Sequence, residues 1–126
     1  EPEINIQSAD KAASETLLCD EILTQLDRLN SNQSVILKLT LPEVNNRYAP
    51  LIAHQNVLRV VALSGGYTRP IANQRLRQNA GMIASFSRAL LEGLSASQTD
   101  AEFNQRLSQS IQEIYEASVA GEDTSL

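Results

Sequence analysis

Short apolar runs alternate with longer amphipathic runs along the chain, a pattern typical of parallel strands connected by helices. The apolar runs predict strands over residues 35–40, 57–63 and 81–86, after a strand remnant over residues 1–6. The amphipathic runs predict helices over about residues 9–30, 46–54, 69–79 and 87–92, and a terminal helix that begins at Thr99. The pattern therefore indicates four successive strand–helix units, followed by an expected disordered tail over residues 121–126.

The two long helices carry one-sided apolar stripes. The stripe of the first helix consists of Leu18, Ile22, Leu26 and Leu29, and that of the terminal helix consists of Phe103, Leu107, Ile111 and Ile114. Residues at three- and four-residue intervals share one face of a helix, so we expect both stripes to be buried. Thr99 and Glu102 have the spacing of a capping box, which predicts where the terminal helix begins.

Two α/β architectures accommodate four such units. They can form a small open sheet with helices on both faces, or they can be one half of an eight-unit barrel. The chain starts at Glu1 without a methionine and its first strand is cut short, which favours the half-barrel and a fragment or processed product. In either case we expect residues 1–126 to form one domain.

The composition and net charge of the chain exclude several classes of binding partner. Of the 126 residues, 42% are hydrophobic and 20% are charged, which is enough for a single core. The net charge of −5 provides no basic excess and argues against nucleic acid or an anionic membrane surface as a partner. No apolar run approaches the roughly 18 residues needed to cross a bilayer. The single cysteine, Cys19, excludes an internal disulfide and, without a Cys/His cluster, predicts a reducing, cytoplasmic compartment and no structural metal.

Lys38 is the most informative single residue, because it is one of only two lysines and lies inside the apolar run of residues 35–41. Strand alternation places Ile36, Lys38 and Thr40 on one face. Desolvation lowers the pKa of a lysine, and a neutral amine is what Schiff-base formation with a carbonyl requires. The pattern is about equally consistent with a lysine that reaches solvent from a strand end or pairs with a core carboxylate.

Glu1 and Glu3 are two residues apart, so on an extended strand both carboxylates point to the same face. One carboxylate beside an amine can act as general acid and base for carbinolamine formation and dehydration, and a second can hold the charge and orientation of the amine. The alternative interpretation is a solvated charged pair at a chain start.

The Ser64-Gly65-Gly66 turn follows one apolar strand, and Arg88 follows the next. Glycines between a strand and a helix let an anion approach the backbone N–H groups closely. Successive strand–helix loops that carry a turn of this kind and an arginine indicate a phosphate site. An ordinary turn and an arginine that caps or salt-bridges a helix remain the alternatives.

Four motifs at successive strand ends together resemble the class I fructose-bisphosphate aldolases of the bacterial-type branch. They are Glu1-Pro2-Glu3, residues 37–42 (LKLTLP), residues 62–66 (ALSGG) and residues 84–90 (ASFSRAL). The resemblance covers nearly the whole chain and implies the C-terminal four βα units of a (β/α)8 TIM barrel. It further implies that Lys38 is the Schiff-base lysine and Glu1 the acid/base. Glu3 is implied as the second glutamate near the Schiff base, with Ser64, Gly65, Gly66 and Arg88 as the phosphate-binding residues.

The resemblance also implies the reaction and the partners. Lys38 would attack the ketone of fructose 1,6-bisphosphate, and the imine would act as the electron sink for cleavage into dihydroxyacetone phosphate and glyceraldehyde 3-phosphate, without a metal or cofactor. The first four strands of the barrel are not in the chain, so the expected partner is an N-terminal half-barrel or a second copy, with homo-oligomers possible. A non-catalytic half-barrel module for assembly or phosphate binding, and another Schiff-base barrel lyase, are the alternative functions.

Overall fold

The structure is a computed structural model that describes the backbone of residues 1–123 and the side chains of residues 1–120. Its strands are β1 (Val35–Thr40), β2 (Val57–Leu63) and β3 (Met82–Ser85). Its helices are α1 (Lys11–Leu26), α2 (Ala49–Ile52), α3 (Arg69–Arg77), α4 (Ser87–Leu91) and α5 (Asp100–Asp123). Helices and strands alternate from α1 to α4, as the hydrophobic pattern predicted.

The strands form one parallel sheet in the order β1-β2-β3. Lys38 is in register with Val61, which is in register with Ile83. Because the strands are parallel, their carboxyl ends meet at the same edge of the sheet. Residues that follow β1, β2 and β3 therefore lie close together.

The helices cover one face of the sheet. On that face Leu39, Val60, Ala62 and Met82 are buried, and they belong to one core cluster with residues of α2 and α3. Ile36, two residues before Lys38 on the other face, is 58% exposed. Among the described residues this face of β1 is therefore open to solvent at Ile36 and Lys38. The open sheet with helices on both faces, one of the two predicted architectures, is not what residues 1–123 form.

The predicted strand remnant over residues 1–6 is wrong, because these residues are irregular. Pro2 has no backbone N–H to donate to a ladder. The segment is instead tied to β1 through a side chain, since the Ile4 N–H donates a hydrogen bond to Thr40 Oγ1 at 3.2 Å. The described part of the chain thus has three strands, with the first predicted unit represented by its helix alone.

The helix predictions differ from the structure mainly at the ends. α1 and α2 are shorter than predicted, whereas α5 begins after a capping box that is confirmed by two hydrogen bonds between Thr99 and Glu102, at 3.1 and 3.2 Å. α5 continues through Asp123, past residue 121 where the disordered tail was predicted, and residues 124–126 lie outside the described residues. The predicted buried stripe of α5 is wrong at Ile111, which is 52% exposed.

Candidate active site

A small cavity of about 180 Å³ lies at the carboxyl edge of the sheet. Its lining comprises Glu1, Glu3, Leu63, Ser64, Gly65, Ser85, Ser87 and Arg88. Five of the seven residues predicted from the sequence as a site therefore meet around one space. The other two are Lys38, which lies beside the cavity next to Glu1, and Gly66, which follows the lining residue Gly65.

Lys38 and Glu1 approach each other on the open face of the sheet. Lys38 Nζ lies 3.8 Å from Glu1 Oε2, and the two side chains are 46% and 52% exposed. The expectation that Lys38 is desolvated is therefore wrong among the described residues. The physical reason is that Lys38 lies on the sheet face that the helices leave uncovered.

The irregular segment before α1 brings the two glutamates to the cavity. Its Ile4 N–H is bonded to Thr40, which is 2% exposed and ends β1. Lys38 lies two residues before Thr40 on the same face of the strand. The tie to Thr40 thus holds Glu1 beside Lys38 and Glu3 beside the glycine turn.

The turn after β2 requires glycine at its centre. Gly65 has a φ of +65°, and a Cβ there would lie 2.7 Å from Thr40 Cγ2 and 2.9 Å from Ile6 Cγ2. Gly66 has a φ of +104°. Both values fall in the region that L side chains rarely adopt, and the two contacts leave no room for one at Gly65. The turn therefore packs its backbone directly against the end of β1 and the segment before α1.

Arg88 faces the cavity from the start of α4. Among residues 1–120 its side chain forms no hydrogen bond and no ion pair, so the alternative role as a side-chain cap or salt-bridge partner has no support in the described residues. Ser85 and Ser87 flank it with two hydroxyl groups that the sequence analysis missed. The sequence could have predicted these two serines, because they are two residues apart at the end of β3 and alternate residues of a strand face the same side.

The lysine that is removed from water is Lys11, not Lys38. Its side chain is 2% exposed and its Nζ lies 2.9 Å from Glu15 Oε2. Lys11 is the first residue of a helix, and the residues next to it in sequence are small or polar. No apolar run therefore indicated that it is buried. The signal was the Lys–Glu spacing of four residues, which places both groups on one helical face.

Cys19 is a buried nucleophile outside the cavity. Burial raises the pKa of the Cys19 thiol, so a reactive thiolate is disfavoured there. Within residues 1–120 no three His, Cys, Asp or Glu side chains are grouped to hold a metal ion. The helices of the described chain include none with the length and apolar character to span a membrane.

Comparison with known proteins finds relatives among the class 1 fructose-bisphosphate aldolases. Over 119 residues, 94% of the chain, it is 58% identical to the class 1 fructose-bisphosphate aldolase of Synechocystis sp.. Over the same length it is 55% identical to that of Clostridium acetobutylicum and 54% identical to that of Porphyromonas gingivalis. The chain is homologous to a segment of the class 1 fructose-bisphosphate aldolases.

The resemblance drawn from the four motifs is thereby confirmed. The chain spans 40% of the length of each of these aldolases. No protein-family model matches it.

Proposed function

We propose that the chain is part of a class I fructose-bisphosphate aldolase and forms the C-terminal four βα units of its (β/α)8 barrel. In such a barrel the helices cover the outer face of the sheet only, and the site lies at the carboxyl ends of the strands. The helix-free face of the present sheet and the position of its cavity have this layout. The match covers 40% of the length of the aldolase relative, and the rest of that length is long enough to contain the other barrel units.

The observation that carries the proposal is the approach of Glu1 to Lys38 beside a cavity shared by a glycine turn and an arginine. An amine and a carboxylate are the groups that imine chemistry needs. Backbone N–H groups and a guanidinium are the groups that bind a phosphate. One site therefore contains the parts required for a phosphorylated ketose.

Lys38 supplies the nucleophile. The Lys38 ammonium passes a proton to Glu1, its amine adds to the C2 ketone of fructose 1,6-bisphosphate, and loss of water gives a protonated imine. The C3–C4 bond then breaks as the C4 hydroxyl loses its proton, and the electron pair moves to the imine nitrogen to give an enamine. Glyceraldehyde 3-phosphate leaves, C3 is protonated, and water hydrolyses the imine to free dihydroxyacetone phosphate. The imine is the electron sink, so the sequence of steps needs no metal or redox cofactor.

Glu1 moves the protons of these steps. At 3.8 Å from Lys38 Nζ its carboxylate is one short movement from a hydrogen bond, and catalytic hydrogen bonds commonly shorten when substrate binds. In this role Glu1 protonates the leaving hydroxyl of the carbinolamine and receives the proton back during hydrolysis. Glu3, on the same cavity wall, holds the charge and orientation of the amine.

Ser64, Gly65, Gly66 and Arg88 bind a phosphate of the substrate. The turn supplies directional backbone N–H donors beside the cavity, and Arg88 supplies a charge with two parallel donors. A phosphorylated ketose is a glycolytic substrate, which, together with the unpaired Cys19, favours a cytoplasmic location.

The substitution Arg88→Ala will weaken binding of a phosphorylated ketose to the full-length protein that contains this chain. Removing one partner of a charge pair in a site costs about 2 kcal/mol, which is roughly a 30-fold increase in Kd. Calorimetric titration measures it. Arg77→Ala, which removes an exposed arginine at the end of α3, is the matched control and leaves Kd unchanged. Equal affinity of Arg88→Ala and the wild type would show that Arg88 is structural.

The proposed partner of the chain is the other half of the barrel or, for the chain alone, a second copy. In the described residues β1 and β3 each pair on one side only. A groove of about 640 Å³ runs beside β3 and α5 and includes Ile111 and Tyr115, which are 52% and 62% exposed. Unpaired strand edges next to apolar surface favour association.

The isolated 126-residue chain will therefore self-associate. Sedimentation velocity at low micromolar concentration measures this directly. A dimer or larger species that is replaced by a one-to-one complex when the N-terminal part of an aldolase relative is added supports the half-barrel. A compact monomer that unfolds cooperatively would show that the sheet is complete without a partner.

A further inference from the structure

A group of charged side chains behind the candidate site holds the backbone that follows β1. The Lys11 ammonium donates a hydrogen bond to the Leu41 carbonyl oxygen at 2.7 Å. The backbone N–H of Glu43 donates one to Glu15 Oε1 at 2.8 Å. Lys11 Nζ also lies 2.9 Å from Glu15 Oε2, so the two side chains act on the loop as one unit.

The stability of the fold does not explain why this pair is buried. Lys11 and Glu15 are 2% and 1% exposed, and a buried ion pair contributes little more than apolar residues of the same volume. Lys11 is also the first residue of α1, where the helix dipole disfavours a cation. What the pair provides is a fixed geometry for two backbone groups of the loop between β1 and α2.

The same cluster reaches the glycine turn. Arg75 Nη1 lies 3.4 Å from Glu43 Oε2 and 3.4 Å from the Pro42 carbonyl oxygen. The Arg75 guanidinium is 4.5 Å from the centre of the Tyr67 ring, and Tyr67 directly follows Gly66. The backbone N–H of Tyr67 donates a hydrogen bond to the Ser64 carbonyl oxygen, which closes the turn. The loop after β1 and the turn after β2 are thus joined through Arg75 and Tyr67.

We propose that Lys11 and Glu15 are positioning residues for the reaction at Lys38. This inference rests on the aldolase chemistry proposed above. Neither side chain lines the cavity, so both act through the backbone from Leu41 to Glu43. By fixing that backbone they fix the carboxyl end of β1, and with it the direction in which the Lys38 amine points relative to Glu1 and the glycine turn.

The test replaces the pair by apolar residues of similar size, Lys11→Met with Glu15→Leu, in the full-length protein. We expect kcat for fructose 1,6-bisphosphate cleavage to fall about 100-fold, the scale at which a misplacement of about 1 Å is felt. KM stays at the wild-type value, since the substrate contacts are kept. The midpoint temperature of unfolding falls by a few degrees at most, because the Leu41 carbonyl and the Glu43 N–H lose their hydrogen-bond partners while the packed volume is kept. The control Gln25→Ala removes an exposed hydrogen bond to Glu21 on the same helix and leaves kcat unchanged.

Two further variants separate positioning from packing. Lys11→Gln with Glu15→Gln keeps a donor for Leu41 and an acceptor for Glu43 without charge, and restores most of the lost kcat. Lys11→Glu with Glu15→Lys keeps an ion pair but offers both backbone groups the wrong partner, and shows the same loss of kcat. This reversed pair decides the matter should the apolar variant not fold.

Wild-type kcat in the apolar or the reversed variant would overturn the inference, as would a lower unfolding midpoint with kcat unchanged. In both cases the proposed function would stand. A wild-type protein that forms no imine at Lys38 would instead overturn the proposed function, and this inference with it. The two failures are distinguished by borohydride trapping on the wild type.

Discussion

Replacing Lys38 by methionine will abolish cleavage of fructose 1,6-bisphosphate by the full-length protein while leaving its fold intact. Methionine has no amine, so no imine forms and the electron sink for carbon–carbon cleavage is lost. The strand tolerates the change because Lys38 lies between Leu37 and Leu39 and, among the described side chains, forms one ion pair, to Glu1 at 3.8 Å. Initial rates of aldehyde release measure the loss, and circular dichroism with thermal unfolding checks the fold.

The matched control for this variant is Ile36→Met, on the same strand and face. A swap between residues of similar volume costs less than about 1.5 kcal/mol and removes no reactive group. Its kcat therefore stays near the wild-type value. Measurable turnover by a folded Lys38→Met protein would remove Lys38 from the mechanism.

Replacing Glu1 by glutamine will lower kcat by a factor of about 100 to 10,000, the usual contribution of a general acid/base. Glutamine keeps the size of the side chain beside Lys38 but cannot deliver a proton to the leaving hydroxyl of the carbinolamine. Single-turnover mixing followed by borohydride quench at successive times measures how fast the imine forms. We expect slow imine formation at Lys38 with unchanged substrate affinity.

An exposed carboxylate far from the site provides the control. Glu21→Gln on α1 removes the same charge and leaves the rate of imine formation unchanged. If Glu1→Gln forms the imine as fast as the wild type, Glu1 does not move the protons and its approach to Lys38 is electrostatic alone.

The middle of the fold and the composition of the site were predictable from the sequence. β1 and β2 have the predicted bounds, since β1 ends just before Leu41-Pro42 and β2 lies between the polar residues Asn56 and Ser64. The glycine turn and the arginine follow successive strands, and parallel strands bring such positions to one edge. Ser64, Gly65 and Arg88 consequently line the same cavity.

The degree of burial of Lys38 and Lys11 was not predictable by the same reasoning. Lys38 is in an apolar run, but its face of the strand has no cover among the described residues, whereas Lys11 is in a polar run and is enclosed by contacts with Glu15 and the loop after β1. The contact between Lys11 and Leu41 joins residues 30 positions apart in sequence, and a local pattern does not contain it. Ile111 is exposed for the related reason that its side of α5 faces the groove beside β3.

The first six residues show a further limit of local pattern. Their alternation of charged and apolar residues is that of a strand, but a strand needs a neighbour with free backbone groups in register. Here the partner of Ile4 is the side chain of Thr40. This hydrogen bond helps to hold Glu1 beside Lys38, a geometry that sequence spacing does not encode.

The most direct test of the central claim is to find which lysine carries the substrate. The full-length protein is incubated with dihydroxyacetone phosphate, reduced with borohydride, digested and mapped by mass spectrometry. We predict one added triose phosphate on the peptide that contains Lys38, absent without borohydride and absent in Lys38→Met. A label on Lys11, or no label on this chain under conditions where the Synechocystis aldolase is labelled, would contradict the assignment.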